Sequence, residues 1–280
     1  MTENVAPYQA TEVPEGGNIA PLANIGLMEE AIARLANRGP GEPGMMVFSG
    51  YSGYGKSVAA AWVKARHNAY YLQLNDFVTK RSLVVSLCQV VGLPGVRKLP
   101  PAGERAVDQY VPPKGTIGQL AEMVAAQLHN ARRPLILDEF DFAIDKSLVM
   151  TVFSLYEMSQ ASIVLIGEEA MPAKLKRWEK FDGRVLDTFY AEPLGMTDAR
   201  TLLWHRYRNE KMTIADDFLR HLVSREIAGG SVRRLSNNLA TIYETGNAEG
   251  WEYCDLERWG SRPLQQSTVK RRPKGDEEGL

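Results

Sequence analysis

Two hydrophobic rhythms alternate along the chain. Short runs rich in apolar residues, MMVFS at Met45–Ser49, AYYLQL at Ala69–Leu74, PLILD ending at Asp138, SIVLIG at Ser162–Gly167 and RVLDTFY at Arg184–Tyr190, predict five short strands, with MMVFS and PLILD continuously apolar and so read as buried. Between them lie stretches with apolar positions three and four apart or rich in helix formers: LMEEAIARLAN, SVAAAWVKARH, DFVTKRSLVVSLCQVV, IGQLAEMVAAQLHNA and DKSLVMTVFSLYEMSQ. Asn24 and Asp76 are expected to cap the first and third of these helices, with Gly39-Pro40 and Gly92 as their stops. Strands alternating with helices predict an α/β fold, a parallel sheet of five strands covered on both faces.

After Pro193 the strand pattern ceases. TDARTLLWHRYRNEK, IADDFLRHLVSREIA and SVRRLSNNLATIYE predict three helices opened by Thr197, Thr213 and Ser231, the second stopping at Gly229-Gly230. The expected organisation is a flexible arm over 1–18, an α/β domain over 19–190, a small all-α lid over 191–260 and a disordered charged tail over 261–280. Two segments depart from simple periodicity. Leu93–Gly115 carries five prolines and no sustained period, which predicts a functional or mobile loop. EEAMPAKLKRWEKF reads as a basic helix ahead of the fifth strand.

Composition narrows the class. The apolar fraction of 44% suits a folded globular protein, and a formal charge of −1 supplies no global field toward nucleic acid or anionic lipid. The N-terminus lacks the basic start and apolar core of a signal peptide, and no apolar run approaches the roughly 20 residues that span a bilayer. Cys88 and Cys254 stand far apart and outside any CxxC pair, which fits a reducing, cytoplasmic setting. The four histidines have no metal-ligand spacing. Trp178, Trp204, Trp251 and Trp259 are expected in the core or at a domain interface.

Gly50-Tyr51-Ser52-Gly53-Tyr54-Gly55-Lys56-Ser57 satisfies G-x-x-x-x-G-K-[ST] at every fixed position, behind a strand and ahead of a helix. Glycines let successive backbone N–H groups turn inward on phosphate oxygens, and the following helix aims its positive end at the same anion. Lys56 would add a full charge to the β- and γ-phosphates, and the Ser57 hydroxyl would ligate Mg2+. Asp138, at the end of PLILD, is placed to hold the magnesium shell, and Glu139 to polarise an attacking water as general base. No guanine-reading NKxD motif is present, so ATP is the expected nucleotide.

A glycine loop, an Asp-Glu strand, a further strand and a helical appendage together resemble the AAA+ ATPases. SIVLIGEEA stands where that family carries its first sensor, and FDGRV resembles the segment that often supplies an arginine finger to a neighbouring subunit. GGSVRRL resembles the second-sensor helix, which would bring Arg233 to the β- and γ-phosphates; arginine at a helix start opposes the dipole and favours a phosphate partner. For Arg184 a finger and a plain surface arginine stand as equal readings. Glu168 and Glu169 occupy a position where a neutral side chain is usual in the family. A carboxylate cannot donate to phosphate unless protonated, so Glu168 is read as orienting water or pairing with an arginine, with slow hydrolysis a consequence.

Within AAA+ proteins, the short first helix, the DEFD ending, the IVLIG strand before a Lys-rich helix and the GGSVRRL lid resemble the DNA-transposition regulators of the phage Mu B and TnsC/TniB type. That resemblance implies an ATP-dependent, non-sequence-specific binder of double-stranded DNA. Such a protein forms a homo-oligomeric ring or filament, delivers target DNA to a transposase and is released by ATP hydrolysis, in a bacterial or phage-infected cell. The helix-turn-helix-type domain that the Mu B type carries ahead of its ATPase has no counterpart in the arm expected here.

The resemblance favours Lys80, Arg81, Arg97 and Lys98 as DNA contacts, with Lys114 and the KLKRWEK segment as further candidates. A solvated charged face is the competing reading for each. The VKRRPK tail has two readings as well, a solubilising tail or a flexible contact. Two alternatives remain beside transposition: a helicase loader or replication initiator, which shares these motifs, and a nucleotide switch that never touches DNA.

Overall fold

The structure, a computed structural model, describes residues 19–98 and 109–267, with the side chains of 96–98 and 109 left aside. The expected arm, the VKRRPK tail, residues 99–108 and the side chains of Arg97 and Lys98 lie outside the described residues.

In chain order the elements are α1 (Ala23–Ala36), β1 (Met45–Ser49), α2 (Lys56–His67), β2 (Tyr70–Gln73), α3 (Lys80–Val90), β3 (Val96–Lys98), β4 (Gln109–Val111) and α4 (Ile117–Ala131). They continue with β5 (Leu135–Asp138), α5 (Asp141–Asp145), α6 (Val149–Ser159), β6 (Ile163–Gly167), α7 (Met171–Leu175), α8 (Glu179–Asp182) and β7 (Val185–Tyr190). The last are α9 (Met196–Tyr207), β8 (Thr213–Ile214), α10 (Asp216–Val223), α11 (Val232–Glu249), β9 (Tyr253–Cys254) and α12 (Leu256–Trp259). Two compact units emerge: one built on Leu27–Gly50 and Lys56–Tyr190, the other on residues 19–26, 51–55 and 191–267.

The first unit holds a five-stranded parallel sheet in the order β2-β5-β6-β1-β7. The strands are short; β1, β5 and β6 are nearly all apolar and buried at every position because both faces of the sheet are covered there, whereas β2 and β7 are only partly buried. Met45, Val47, Leu72, Leu83, Leu87, Val124, Leu128, Leu135, Leu137, Val152, Leu155 and Leu165 form its core. The route leaves β1 for the far edge at β2 and works back, so β1 lies where the strand order reverses. Open α/β sheets bind ligands outside the carboxyl ends of the strands at such a point.

Several local expectations are corrected. Thr79, not Asp76, caps α3, in a reciprocal capping box with Ser82, while Asp76 pairs with Lys146 at 3.0 Å. Asn24 lies inside the first turn of α1 instead of ahead of it, its side chain engaged elsewhere. The helix expected over 145–160 is α6, shortened to Val149–Ser159; α5 precedes it, and Ser147, with a left-handed φ of 58°, lies between the two. EEAMPAKLKRWEKF forms two short helices, α7 and α8. The proline-rich stretch contains an antiparallel ribbon, with Val96 opposite Val111 and Lys98 opposite Gln109.

The second unit packs α9, α10, α11 and α12 around Leu202, Phe218, Leu222, Leu235, Leu239, Ile242 and Trp259. It is not purely helical, because Thr213–Ile214 pairs in parallel with Tyr253–Cys254. The caps differ from expectation in two helices. Gly195 precedes α9 and Ala215 precedes α10, which ends at Ser224 ahead of the Gly-Gly pair; Ser231 does cap α11, accepting from the Arg234 N–H at 3.3 Å. Trp259 is buried, whereas Trp204 is 62% exposed with Arg208 over its ring.

Candidate nucleotide site

The loop Gly50–Ser57 leaves the buried end of β1 and runs straight into α2. Gly53 and Gly55 take φ of 84° and 88°, a left-handed backbone that a side chain would strain. Gly53 has a second reason to be glycine: a Cβ there would collide with the Ser231 hydroxyl. The Lys56 ammonium folds back on the loop and donates to the Gly50 carbonyl at 2.5 Å. Ser57, one residue into α2, is exposed.

Next to β1 in the sheet, β6 ends at Gly167, whose carbonyl accepts the Gly50 N–H at 3.3 Å. Beyond β6, β5 ends at Asp138, which is 2% exposed. Both of its oxygens are held: the Tyr71 hydroxyl donates to Oδ2 at 2.8 Å and the Glu139 N–H to Oδ1 at 2.9 Å. Glu139 follows with φ 56°, in the left-handed region, which is sparsely populated for a residue with a side chain. Such strain clusters at functional positions.

Electrostatically, the sheet end is a carboxylate cluster around one ammonium. Burial pushes the Lys56 pKa below its ordinary value, against the upward pull of Glu139, Asp138, Glu168 and Glu169. Burial also raises Glu139, reinforced by Asp138 and opposed by Lys56. Both charged forms are therefore disfavoured by desolvation more than they are stabilised by each other, a balance that an incoming anionic phosphate with a divalent cation would change. Burial and the Asp138 carboxylate raise the Tyr71 phenol strongly, so it stays a hydrogen-bond donor.

These positions suit magnesium. The Ser57 hydroxyl and the Asp138 carboxylate are hard oxygen donors, each held oxygen of Asp138 retains a lone pair, and magnesium typically takes one or two protein ligands beside nucleotide phosphates. Among the described residues no group of three or more His, Cys, Asp or Glu is placed to hold a metal ion.

In the second unit, the loop residue Gly53 accepts from the Ser231 hydroxyl and from the Arg233 N–H, each at 3.4 Å. The start of α11 is thus pinned to the tip of the loop. Of its two arginines, Arg234 bonds the Ala228 carbonyl and the Ser267 hydroxyl, while Arg233 is exposed beside the loop. Asn24, which is 5% exposed, donates to the Tyr54 and Glu192 carbonyls at 2.8 Å and accepts the Glu192 N–H at 2.7 Å. Nothing in the local sequence announces that bracket, since Asn24 carries an equally good capping signal.

The remaining candidates fall apart from this cluster or beside it. Glu168 is exposed just past β6, its N–H held by Asp141. Arg184, ahead of β7, donates to Glu157 Oε1 at 2.6 Å, so any finger role requires release of that pair. Lys80 and Arg81 lie exposed in the first turn of α3, and Lys114 is exposed ahead of α4. Lys174, from the KLKRWEK segment, is committed to Asp141 and Asp145. One residue escaped the sequence reading. Phe77 is 87% exposed, in a turn where the Asn75 side chain accepts its N–H at 3.0 Å, three residues ahead of Lys80. An apolar run gives no sign of which member the fold will leave outside.

Residues 38–175 match the AAA domain family. The fold is that of an AAA+ P-loop ATPase. No curated protein matches the sequence as a relative. Among solved structures, Cdc6p from Pyrobaculum aerophilum superposes with a TM-score of 0.61 at 14% identity, covering 88% of this chain and 66% of that one. The Aeropyrum pernix ORC1 protein, solved in complex with DNA, gives 0.59 at 17% identity, covering 88% and 65%. Domain III of the Thermotoga maritima replication initiation protein DnaA gives 0.52 at 13%, covering 88% and 93%. The chain spans just under two thirds of the first two proteins. The third is by name a replication initiation protein, and none of the three is named as a transposition regulator. No helix among the described residues is long and apolar enough to cross a membrane.

Proposed function

We propose that this protein is an AAA+ ATPase that acts on double-stranded DNA as an oligomer under ATP control, in the manner of replication initiators and helicase loaders. The observation that carries it is the sheet end itself: a phosphate loop whose Lys56 faces Asp138 and Glu139, on a fold shared with Cdc6p, ORC1 and DnaA. Gly50–Ser57 would cradle the phosphates of ATP. Ser57 and Asp138 would hold Mg2+, which neutralises phosphate charge as the bond to the leaving group breaks. Glu139 would accept the proton of the attacking water, and Arg233 would contact the phosphates from the start of α11. Arg184 would act on a neighbouring subunit's nucleotide once released from Glu157.

A DNA-binding surface is supported by the exposed Lys80, Arg81 and Phe77 on the segment after β2. Delivery of DNA to a transposase is a second, narrower reading of the same chemistry. It rests on the DEFD, IVLIG and GGSVRRL motifs of the sequence.

The deciding experiment measures binding to random-sequence duplex DNA with and without ATP and Mg2+, across a salt series, with Lys56→Ala as control. ATP-dependent binding that weakens steeply with salt and is lost in Lys56→Ala is expected. Retained nucleotide binding without any duplex affinity would leave a nucleotide switch with a protein client. Stimulation of a replicative helicase's loading separates the initiator reading from the transposition one, which predicts stimulated strand transfer instead.

A further inference from the structure

We propose that Asp141 is a positioning residue that fixes the backbone of Glu168, just past β6, to the segment that leaves β5. The proposal rests on the ATPase reading for its kinetic consequence but not for its geometry.

The β5–β6 ladder ends at the Leu137–Leu165 pair, and the Phe140 N–H adds one further bond to the Ile166 carbonyl at 2.8 Å. Past that point the chain turns into α5, and the Glu168 N–H is not taken up by the ladder. The Asp141 side chain takes over. Its Oδ2 accepts the Glu168 N–H at 2.7 Å, extending the ladder with a carboxylate. Its Oδ1 accepts from the Lys174 ammonium at 3.2 Å, and Lys174 also reaches Asp145 at 3.5 Å. Asp141 is 8% exposed, so the charge is held by these partners and not by water.

Gly167 gives independent support. A Cβ on Gly167 would collide with Asp141 Oδ2 and with the Met171 sulfur, so the carboxylate lies directly over the strand end. Asp141 follows Glu139 by two residues, so one short segment sets both acids at the rim. The Glu168 carboxylate in turn acts electrostatically on Lys56 and on Glu139. Holding the backbone at Glu168 limits where its exposed carboxylate can reach, and with it the field at the two groups assigned to phosphate and water.

Amide hydrogen exchange at Glu168 tests the geometry without nucleotide. Asp141→Ala should speed exchange there at least tenfold, whereas Asp141→Asn, which keeps a carbonyl acceptor, should preserve most of the protection. Unchanged exchange in Asp141→Ala overturns the proposal. For the kinetics, Asp141→Ala is expected to lower kcat roughly tenfold with the affinity for a fluorescent ATP analogue within about threefold, the worth of one hydrogen bond to a charged group. Asp141→Asn should recover much of the rate. The double variant Asp141→Ala/Glu168→Ala should be no slower than the slower single variant, because both disrupt one unit. Multiplicative losses, or equal losses in the Ala and Asn variants, count against positioning. If wild-type protein binds no ATP, the ATPase reading fails, and the Glu168 exchange experiment still decides the placement.

Discussion

The Tyr71 hydroxyl donates to Asp138 Oδ2 at 2.8 Å, from the strand next to the one that ends in the acid. One oxygen of the proposed magnesium ligand is thereby fixed before any cation arrives, and its carboxylate cannot swing toward Lys56. Tyr71→Phe removes the donor while keeping the ring. The expected result is a rise of roughly tenfold in the magnesium concentration that half-saturates ATPase activity, the scale of one hydrogen bond to a charged group. Affinity for magnesium-free nucleotide should be unchanged. A magnesium titration identical to wild type would show that Tyr71 only packs.

Lys56 and Glu139 should separate binding from turnover. Lys56→Ala leaves the cluster of Asp138, Glu139, Glu168 and Glu169 without its cation, so nucleotide affinity should fall by tenfold or more on the charge argument alone. Glu139→Gln keeps the shape and removes the proton acceptor. It should bind ATP normally and lose roughly 10²-fold or more of kcat, within the range for a general base. Equilibrium binding and single-turnover hydrolysis distinguish the two.

Arg184 is clamped by Glu157 within its own chain, both side chains being well exposed, so the pair itself adds little to stability. If Arg184 serves a neighbour's nucleotide, Arg184→Ala alone and Lys56→Ala alone should both be inactive, and mixing them should restore part of the ATPase activity. No recovery on mixing would place Arg184 on the plain surface.

On the DNA side, Lys80→Ala should weaken binding to all duplexes alike and reduce the salt slope by about one phosphate's share. Phe77→Ala should weaken binding with the salt slope intact, because an aromatic contact releases no counterion. Measuring both slopes in one salt series separates the two contributions. Equal slopes with equal affinities would remove the α3 start from the interface.

Stability should decline in alkali. Burial raises the phenols of Tyr110 and Tyr243 from an ordinary 10.0 to about 12, and Tyr71 is raised as well. Between those values the unfolded chain has lost protons that the folded chain keeps, so unfolding becomes easier as pH rises. The contribution of Tyr110 and Tyr243 is complete below pH 10 and is gone above about 12, whereas that of Tyr71 persists further. Near-ultraviolet absorbance should show a set of phenolates appearing only together with loss of helical circular dichroism.

What the sequence by itself determined was local and periodic. The five strands were legible because each is a short run rich in apolar residues, and the glycine loop because its chemistry demands glycine, lysine and serine at fixed spacing. Helix boundaries were less legible. Asp76 and Thr79 are both competent caps three residues apart, and only the packing of Leu83, Leu87 and Cys88 into the core decides where α3 begins. The tertiary structure alone decided the long-range pairings: Tyr71 with Asp138, Asp141 with Glu168, Asn24 with the loop carbonyl of Tyr54, Arg184 with Glu157. Each joins residues far apart in the chain that meet only through the packing of separate elements, and no periodicity within a single segment encodes which elements meet.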